Sequence, residues 1–124
     1  MYHYIECGLP NVWLKNGYDV LEIDGEKAIS ISDVDALHEA IGRSVASKSN
    51  LNAEEIRFLR KELGLSQKRL ADLLGSTEQT VSLWERGGRM PKVYDRLIRL
   101  LYLEKIDGNI NVQAMIEKLI VIDF

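Results

Sequence analysis

Residues 66–87 read Ser66-Gln-Lys-Arg-Leu-Ala-Asp-Leu-Leu-Gly-Ser-Thr-Glu-Gln-Thr-Val-Ser-Leu-Trp-Glu-Arg-Gly87 and carry the most informative pattern of the 124-residue chain. Apolar residues recur at helical spacing on both sides of a glycine, and four of them are expected to face a core: Leu70, Leu74, Val81 and Trp84. Ala71 allows two helices to cross closely, and Gly75 can take the positive φ with which a chain leaves a helix. Thr77 is a candidate N-cap. The stretch predicts two short helices joined by a tight turn, with the second presented outward.

A helix is also predicted before this pair. Asn52 and Glu55 have capping-box spacing, with a side-chain acceptor at the cap and an acid three residues later. Leu51 and Ile56 are placed for a hydrophobic staple across the same cap. The helix then runs to Gly64, a residue that commonly ends helices.

Further helices are predicted after the pair. Pro91 precedes a helix over Lys92 to Glu104, because proline suits the start of a helix. Residues 107–109 are predicted to form a turn, and residues 112–120 a last helix. The last segment is unusually apolar, with four consecutive apolar residues at 119–122. It fits either a fold-back onto the preceding helix at Ile98, Leu101 and Tyr102 or pairing of two chains across a two-fold axis.

The first fifty residues have a different pattern. Residues 1–16 are rich in aromatic and turn-forming residues and are expected to be irregular or short-stranded. Asp24-Gly25 lies between two runs rich in β-branched residues. This predicts a hairpin over residues 18–31, because Asp-Gly suits a tight primed turn.

A helix over residues 33–46 is predicted to follow the hairpin. Ser32 is the expected N-cap, with Asp33 and Asp35 in the first turn. The apolar stripe of this helix comprises Val34, Leu37, Ile41 and Val45. Residues 44–50 are polar and are interpreted as a linker. We therefore predict a small α+β domain over residues 1–50 and a helical domain over residues 51–124.

Composition narrows the class of protein. Apolar residues make up 46% of the chain and charged residues 28%, as in ordinary globular proteins. The single cysteine, Cys7, excludes an internal disulfide and a zinc site of three or four cysteines. No run approaches the ~20 apolar residues of a membrane span, and the first residues do not resemble a signal peptide. A cytoplasmic location is expected.

Charge is distributed unevenly along the chain. Residues 1–50 contain 4 basic and 8 acidic residues, residues 51–103 contain 10 and 7, and residues 104–124 contain 2 and 4. The basic middle is weak support for a nucleic-acid surface there. Ordinary scatter of solvated charges explains the same numbers.

Neither catalysis nor a cofactor is predicted. His3 and His38 are far apart in the chain, and His38 is expected to lie at the surface or to be hydrogen-bonded. Cys7 and His3 supply only two ligands, so no metal site is expected. The chain has no phosphate-binding glycine loop and no nucleophile elbow. The aromatic residues Tyr2, Tyr4 and Trp13 are expected to belong to the core rather than to stack on bases.

Residues 51 to about 104 resemble the XRE-type helix-turn-helix regulators, which include the lambdoid phage repressors. The resemblance rests on Arg60-Lys-Glu-Leu-Gly-Leu-Ser-Gln-Lys-Arg-Leu-Ala71 and Val81-Ser-Leu-Trp-Glu-Arg-Gly87. Ser76 departs from the family, which usually has an apolar residue after the glycine. The resemblance implies a mostly α protein with a five-helix DNA-binding domain. It also implies a sequence-specific, double-stranded DNA-binding transcription regulator, interpreted here as a repressor that binds a palindromic operator as a homodimer.

The whole-chain arrangement is also similar, more weakly, to that of MqsA-type antitoxins. Those proteins carry zinc on two Cys-x-x-Cys pairs, whereas this region has only Cys7. The alternative function is therefore an antitoxin that lacks the zinc. Its acidic N-terminal region would neutralise a basic toxin protein, and its DNA-binding domain would repress its own operon.

Two sets of DNA-contacting residues are expected, the first implied by the resemblance and the second by free amides at a helix start and by basic side chains. Contacts to bases or to the nearby backbone are expected at Thr77, Glu78, Gln79, Ser82 and Leu83. Phosphate contacts are expected at Ser66, Gln67, Lys68, Arg69, Arg86, Arg89 and Lys92. Glu78 and Leu83 could equally be solvated or face a partner. Arg96 and Arg99 are either solvated charges or partners of Glu85 and Asp95.

Overall fold

The computed structural model describes residues 1–108, and within them it contains four strands and five helices. The strands are β1 (Tyr2–His3), β2 (Trp13–Leu14), β3 (Tyr18–Ile23) and β4 (Glu26–Ile31). The helices are α1 (Val34–Ala46), α2 (Ala53–Glu62), α3 (Gln67–Leu74), α4 (Glu78–Glu85) and α5 (Lys92–Asp107). The mostly α fold class with a small α+β opening is confirmed. The predicted last helix over residues 112–120 lies outside the described residues, as does the end of the predicted turn at 107–109.

Two antiparallel strand pairs form the N-terminal part. In the first pair Tyr2 lies opposite Leu14, and in the second the register runs from Tyr18 opposite Ile31 to Ile23 opposite Glu26. Asp24 and Gly25 have φ values of 51° and 80°, the two positive angles of a primed turn. The predicted hairpin over residues 18–31 and the short-stranded opening are thus confirmed.

The start of α1 differs from the prediction. The N-cap is Asp33, whose side chain accepts a hydrogen bond from Ala36 N at 3.0 Å, and not Ser32. Ser32 cannot take this role because it still belongs to the hairpin, where its N–H donates to Gly17 O at 2.9 Å. The helix therefore begins one residue later than predicted.

The predicted apolar stripe and linker of α1 also need correction. Ile41 and Val45 are buried and Leu37 is half-buried, but Val34 is 47% exposed because it lies in the first turn, at the rim of an open cleft between α1, α2 and α5. The polar segment predicted from residue 44 starts later, since the helix continues through Ala46, which is fully buried.

The caps of the next helices agree with the sequence. Glu55 N donates to Asn52 Oδ1 and Asn52 N donates to Glu55 Oε1, each at 2.9 Å, which completes the capping box. Ser66 caps α3 by accepting from Arg69 N, and Gly75 ends α3 with a φ of 70°. Helix α5 is three residues longer than predicted, ending at Asp107 rather than Glu104.

One apolar core connects the opening, the hairpin base and the helices. Its buried members are Tyr4, Leu9, Leu14, Ile41, Val45, Ala46, Ile56, Phe58, Leu59, Leu70, Ala71, Leu74, Val81, Trp84, Ile98 and Tyr102. The four residues predicted to face inward from α3 and α4 are all among them. Helix α1 packs against α2 and α5, so residues 1–50 share this core with the helices that follow. The division into two domains at residue 50 stays a prediction.

Candidate nucleic-acid interface

Helix α4 has one buried face and one face open to solvent. Val81 and Trp84 are 0% and 2% exposed and anchor the helix on α3 and the core. On the opposite face Glu78, Gln79 and Leu83 are exposed, with Leu83 at 52%. This asymmetry leaves a row of polar and apolar side chains free to meet a ligand surface.

Two of the predicted base-contacting residues, Thr77 and Ser82, already make hydrogen bonds within the protein. Thr77 is the N-cap of α4: its Oγ1 accepts from Thr80 N at 3.2 Å and lies 2.8 Å from Thr80 Oγ1. Ser82 is half-buried, and its carbonyl accepts from Arg86 Nε at 3.3 Å. Both residues still lie at the edge of the exposed face, so contact with DNA through them stays a prediction.

The predicted phosphate-contacting residues lie at the start of α3 and between α4 and α5. Ser66, Lys68 and Arg69 are exposed at the start of α3, and Arg86, Arg89 and Lys92 are exposed between α4 and the start of α5. Gln67 is half-buried, and its Nε2 donates to Glu85 Oε1 at 3.4 Å. This contact brings the start of α3 next to the end of α4, so the cations of the two segments can act on one stretch of ligand.

A buried charge network that the sequence did not predict holds α4 in position. Arg60 of α2 binds both carboxylate oxygens of Glu85, with Nε–Oε2 at 2.6 Å and Nη2–Oε1 at 2.9 Å. The side chain of Glu85 is only 1% exposed. Arg57, whose own side chain is 44% exposed, places its Nε 3.5 Å from Glu85 Oε1. A bidentate pair of this kind fixes direction as well as distance. Arg60 and Glu85 both lie in the quoted motif segments, but their separation in sequence gave no sign that they meet.

A second buried pair lies on α5. Arg99 Nε lies 2.6 Å from Asp95 Oδ1, and Arg99 is 3% exposed. Asp95 Oδ2 also accepts from Leu51 N at 2.9 Å, which ties α5 to the start of α2. Arg99 is therefore a partner of Asp95 rather than a solvated charge. The charged partners of Glu85 are Arg57 and Arg60 of α2 rather than the arginines of α5.

Both histidines contact neighbouring side chains of the protein, His38 through hydrogen bonds and His3 through ring stacking. His38 is half-buried, with Nε2 2.8 Å from the Tyr4 hydroxyl and Nδ1 3.1 Å from Glu62 Oε1, which confirms a hydrogen-bonded histidine. Trp13 was predicted to be core but is 56% exposed, stacked on His3 with centroids 4.1 Å apart. It lies at the rim of a cavity that it lines together with Leu37 and Ile41 of α1, so only part of its ring is covered. No group of three or more potential metal-ligating side chains occurs among residues 1–108.

The geometry is that of a helix-turn-helix domain, with α3 as its first helix and α4 as its exposed recognition helix. A family model described as helix-turn-helix matches residues 56–95, which span α2 to the start of α5. No curated protein and no solved structure matched the chain. The match and the geometry support an XRE-type helix-turn-helix domain in this segment, and with it a DNA-binding transcription regulator. No helix within the described part of the chain is long and apolar enough to cross a bilayer.

Proposed function

We propose that the protein is a repressor that binds a palindromic operator in double-stranded DNA as a homodimer, with α4 in the major groove. The observation that carries this proposal is the exposed face of α4 together with the buried pair of Arg60 and Glu85 beneath it. A helix that must read base edges has to be held rigidly while its outer side chains stay unoccupied.

Base readout is assigned to three exposed residues of α4. The Gln79 amide can pair with both N6 and N7 of adenine, and Leu83 can contact a thymine methyl group. Glu78 can accept from the amino group of cytosine, although phosphates repel it. Gln79 is the main candidate because its pairing is bidentate and its side chain is exposed.

Positioning on the backbone is assigned to the residues around α4. The free amides at the start of α3 favour a phosphate near Ser66 and Gln67. The exposed cations add charge on both sides of the helix: Lys68, Arg69, Arg86, Arg89 and Lys92. Each contact of this kind adds affinity for any DNA sequence and increases its dependence on salt.

A dimer is proposed because one recognition helix buries too little surface for tight, specific binding. Two copies related by a two-fold axis place their recognition helices about 34 Å apart on successive turns of the major groove, and the operator then has matching symmetry.

The test is selection of bound fragments from a genomic library, followed by titration of the recovered site and of a scrambled duplex at fixed salt. We expect a palindromic consensus and an affinity at least about 10³ times higher for the site than for the scrambled duplex. Equal affinity for both would contradict sequence-specific regulation.

A second candidate is an antitoxin that represses its own operon, and the acidic charge of residues 1–50 favours it. This region contains 8 acidic and 4 basic residues, which suits a basic protein partner. The test is co-purification with the product of a neighbouring gene that encodes a small basic protein. A complex that survives in high salt and inhibits that protein's activity would support this candidate, and the absence of any complex would contradict it.

A further inference from the structure

The β3–β4 hairpin is attached to the rest of the molecule by its base alone. Tyr18 and Ile31, at the open end, pack against the core. Further along, Val20, Leu21 and Ile23 are 57%, 45% and 57% exposed. Isolated two-stranded hairpins are marginally stable, and exposed apolar strands are binding sites for other strands. The exposed apolar residues therefore favour binding of another strand to the hairpin.

The outer edge of β4 carries unpaired backbone groups. Ser32 N donates to Gly17 O, so this pair is a hydrogen-bonded pair of the antiparallel ladder. Pairs alternate along the ladder, and the N–H and C=O of Lys27, Ile29 and Ile31 consequently point away from β3. Within residues 1–108 no other strand pairs with this edge.

The two edges of the hairpin differ in charge. Strand β3 contains Asp19 and Glu22 and no basic residue, so two β3 edges side by side would place two carboxylates on each face of the joined sheet with no cation of either strand to offset them. Strand β4 contains one acid and one base, Glu26 and Lys27, and has no net charge. Self-association is therefore favoured at β4 and disfavoured at β3.

We propose that β4 pairs antiparallel with β4 of a second copy of the chain, with Ile29 at the two-fold axis. In this register Ile29 lies opposite its own copy and Lys27 lies opposite Ile31. The outward groups of the three residues form about six hydrogen bonds, and the hairpins merge into a four-stranded sheet. The aliphatic stem of Lys27 covers Ile31 of the second copy.

This inference rests on the proposed homodimer and identifies its contact surface. Pairing along one six-residue edge is a small interface, near or below the ~1,200 Å² lower end of stable complexes. The free protein is therefore a weak dimer, and binding of both recognition helices to one operator strengthens it. Dimerisation and operator affinity are coupled in this way.

The experiment uses charge at the two-fold axis. Ile29→Lys and Ile29→Glu each place like charges opposite one another, and sedimentation equilibrium of the full chain should show at least a tenfold rise in the dimer dissociation constant. A mixture of the two variants should restore the dimer, because lysine then faces glutamate. The matched control is Val20→Lys, at the cross-strand neighbour of Ile29 on the opposite edge, which should leave the dimer intact.

A second measurement needs no substitution. Amide exchange at Lys27, Ile29 and Ile31 should slow as protein concentration rises, whereas exchange at Val20 should not change. A wild-type chain that is monomeric at 100 times the concentration used for DNA titration, or dimers that Ile29→Lys and Ile29→Glu leave unchanged, would overturn the inference. So would a dimer lost only in Val20→Lys.

Different outcomes contradict the proposed function and the proposed hairpin interface. Binding of the Ile29 variants to a duplex with one half-site should equal that of the wild type, because α4 is unchanged. Wild-type protein that shows no sequence preference contradicts the proposed function. Specific binding by a dimer insensitive to the Ile29 changes contradicts the hairpin interface alone.

Discussion

Glu85 shows how one buried charge supports an exposed helix. Its carboxylate is 1% exposed and receives both donors of the Arg60 fork, while Gln67 and Arg57 approach it from α3 and α2. The last turn of α4 is thereby held by two other helices. Arg86, the next residue, is exposed.

Replacing Glu85 by alanine should destabilise the fold by about 3–5 kcal/mol, because Arg60 would remain buried without a counter-charge. The measurement is urea unfolding followed by circular dichroism. Lys61→Ala, at an exposed position of α2 outside this network, is the matched control and should cost less than about 0.5 kcal/mol. Equal effects of the two substitutions would mean that the Arg60–Glu85 pair does not support the domain.

Replacing Gln79 by alanine should cost about 1–3 kcal/mol of binding at one operator position and relax the base preference there. Arg86→Ala should instead weaken binding to every sequence and reduce the salt slope by about one unit. Titrations of operator and random duplexes at several salt concentrations separate the two effects. If both variants lost affinity equally on both duplexes, the assignment of the roles would be wrong.

Helices α1 and α5 approach each other closely enough to restrict their side chains. A Cβ added at Gly42 of α1 would overlap the phenol ring of Tyr102 on α5. Burial in this contact raises the pKa of Tyr102 to about 12, since the low-dielectric surroundings disfavour the phenolate. This contact joins the N-terminal part to the helices that follow it.

Gly42→Ala should destabilise the protein by about 1–3 kcal/mol, although alanine is the better helix former, because the phenol ring must move out of its site. Thermal unfolding provides the measurement. Combining it with Tyr102→Leu should recover part of the loss, and Ser44→Ala, at an exposed position of the same helix, should have little effect. An unchanged melting temperature in Gly42→Ala would show that the two helices can separate freely.

Tyr102 should also make stability depend on pH at the alkaline end. Its pKa is raised in the fold, so its contribution is fully present below the ordinary value near 10 and is lost as pH rises toward 12. Urea midpoints of the wild type and Tyr102→Phe, measured from pH 8 to pH 11.5, should show a steeper decline for the wild type. Parallel curves would place Tyr102 in contact with solvent.

The whole molecule combines an acidic N-terminal half with a basic helical middle. Several exposed cations lie at the start of α3 and between α4 and α5, while the β3–β4 hairpin carries mainly carboxylates. If α4 binds DNA as proposed, the carboxylates of the hairpin are repelled by the DNA backbone. A shared apolar core links the two parts.

The fold should not depend on zinc. Only Cys7 is present in the region where the weakly similar antitoxins carry two cysteine pairs, and the core of residues 1–108 is apolar. Elemental analysis should find no stoichiometric zinc, and a chelator should leave the melting temperature unchanged. Stoichiometric metal whose removal unfolds the protein would contradict this prediction.

Most of the features that could be predicted from the sequence depend on interactions between residues that are close together in the chain. Caps at Asn52, Ser66 and Thr77, the glycine exit at Gly75 and the Asp-Gly turn each act over three or four residues, so the helices and the hairpin could be predicted. The exposed face of α4 could be predicted from the helical periodicity of its apolar residues alone. The binding roles of its residues are still proposals.

Tertiary structure decided the features that depend on distant residues. The pairing of Arg60 with Glu85, and the tie from Asp95 to Leu51, join residues 25 and 44 positions apart, and no local pattern encodes such distances. The cap at Asp33 instead of Ser32 depended on how far the hairpin ladder extends. Burial of Ala46 and exposure of Trp13 depended on where the helices pack. Residue patterns that favour short-range hydrogen bonds, and the periodicity of apolar residues, can be recognised in a sequence. Contacts between distant segments exist only once the chain has folded.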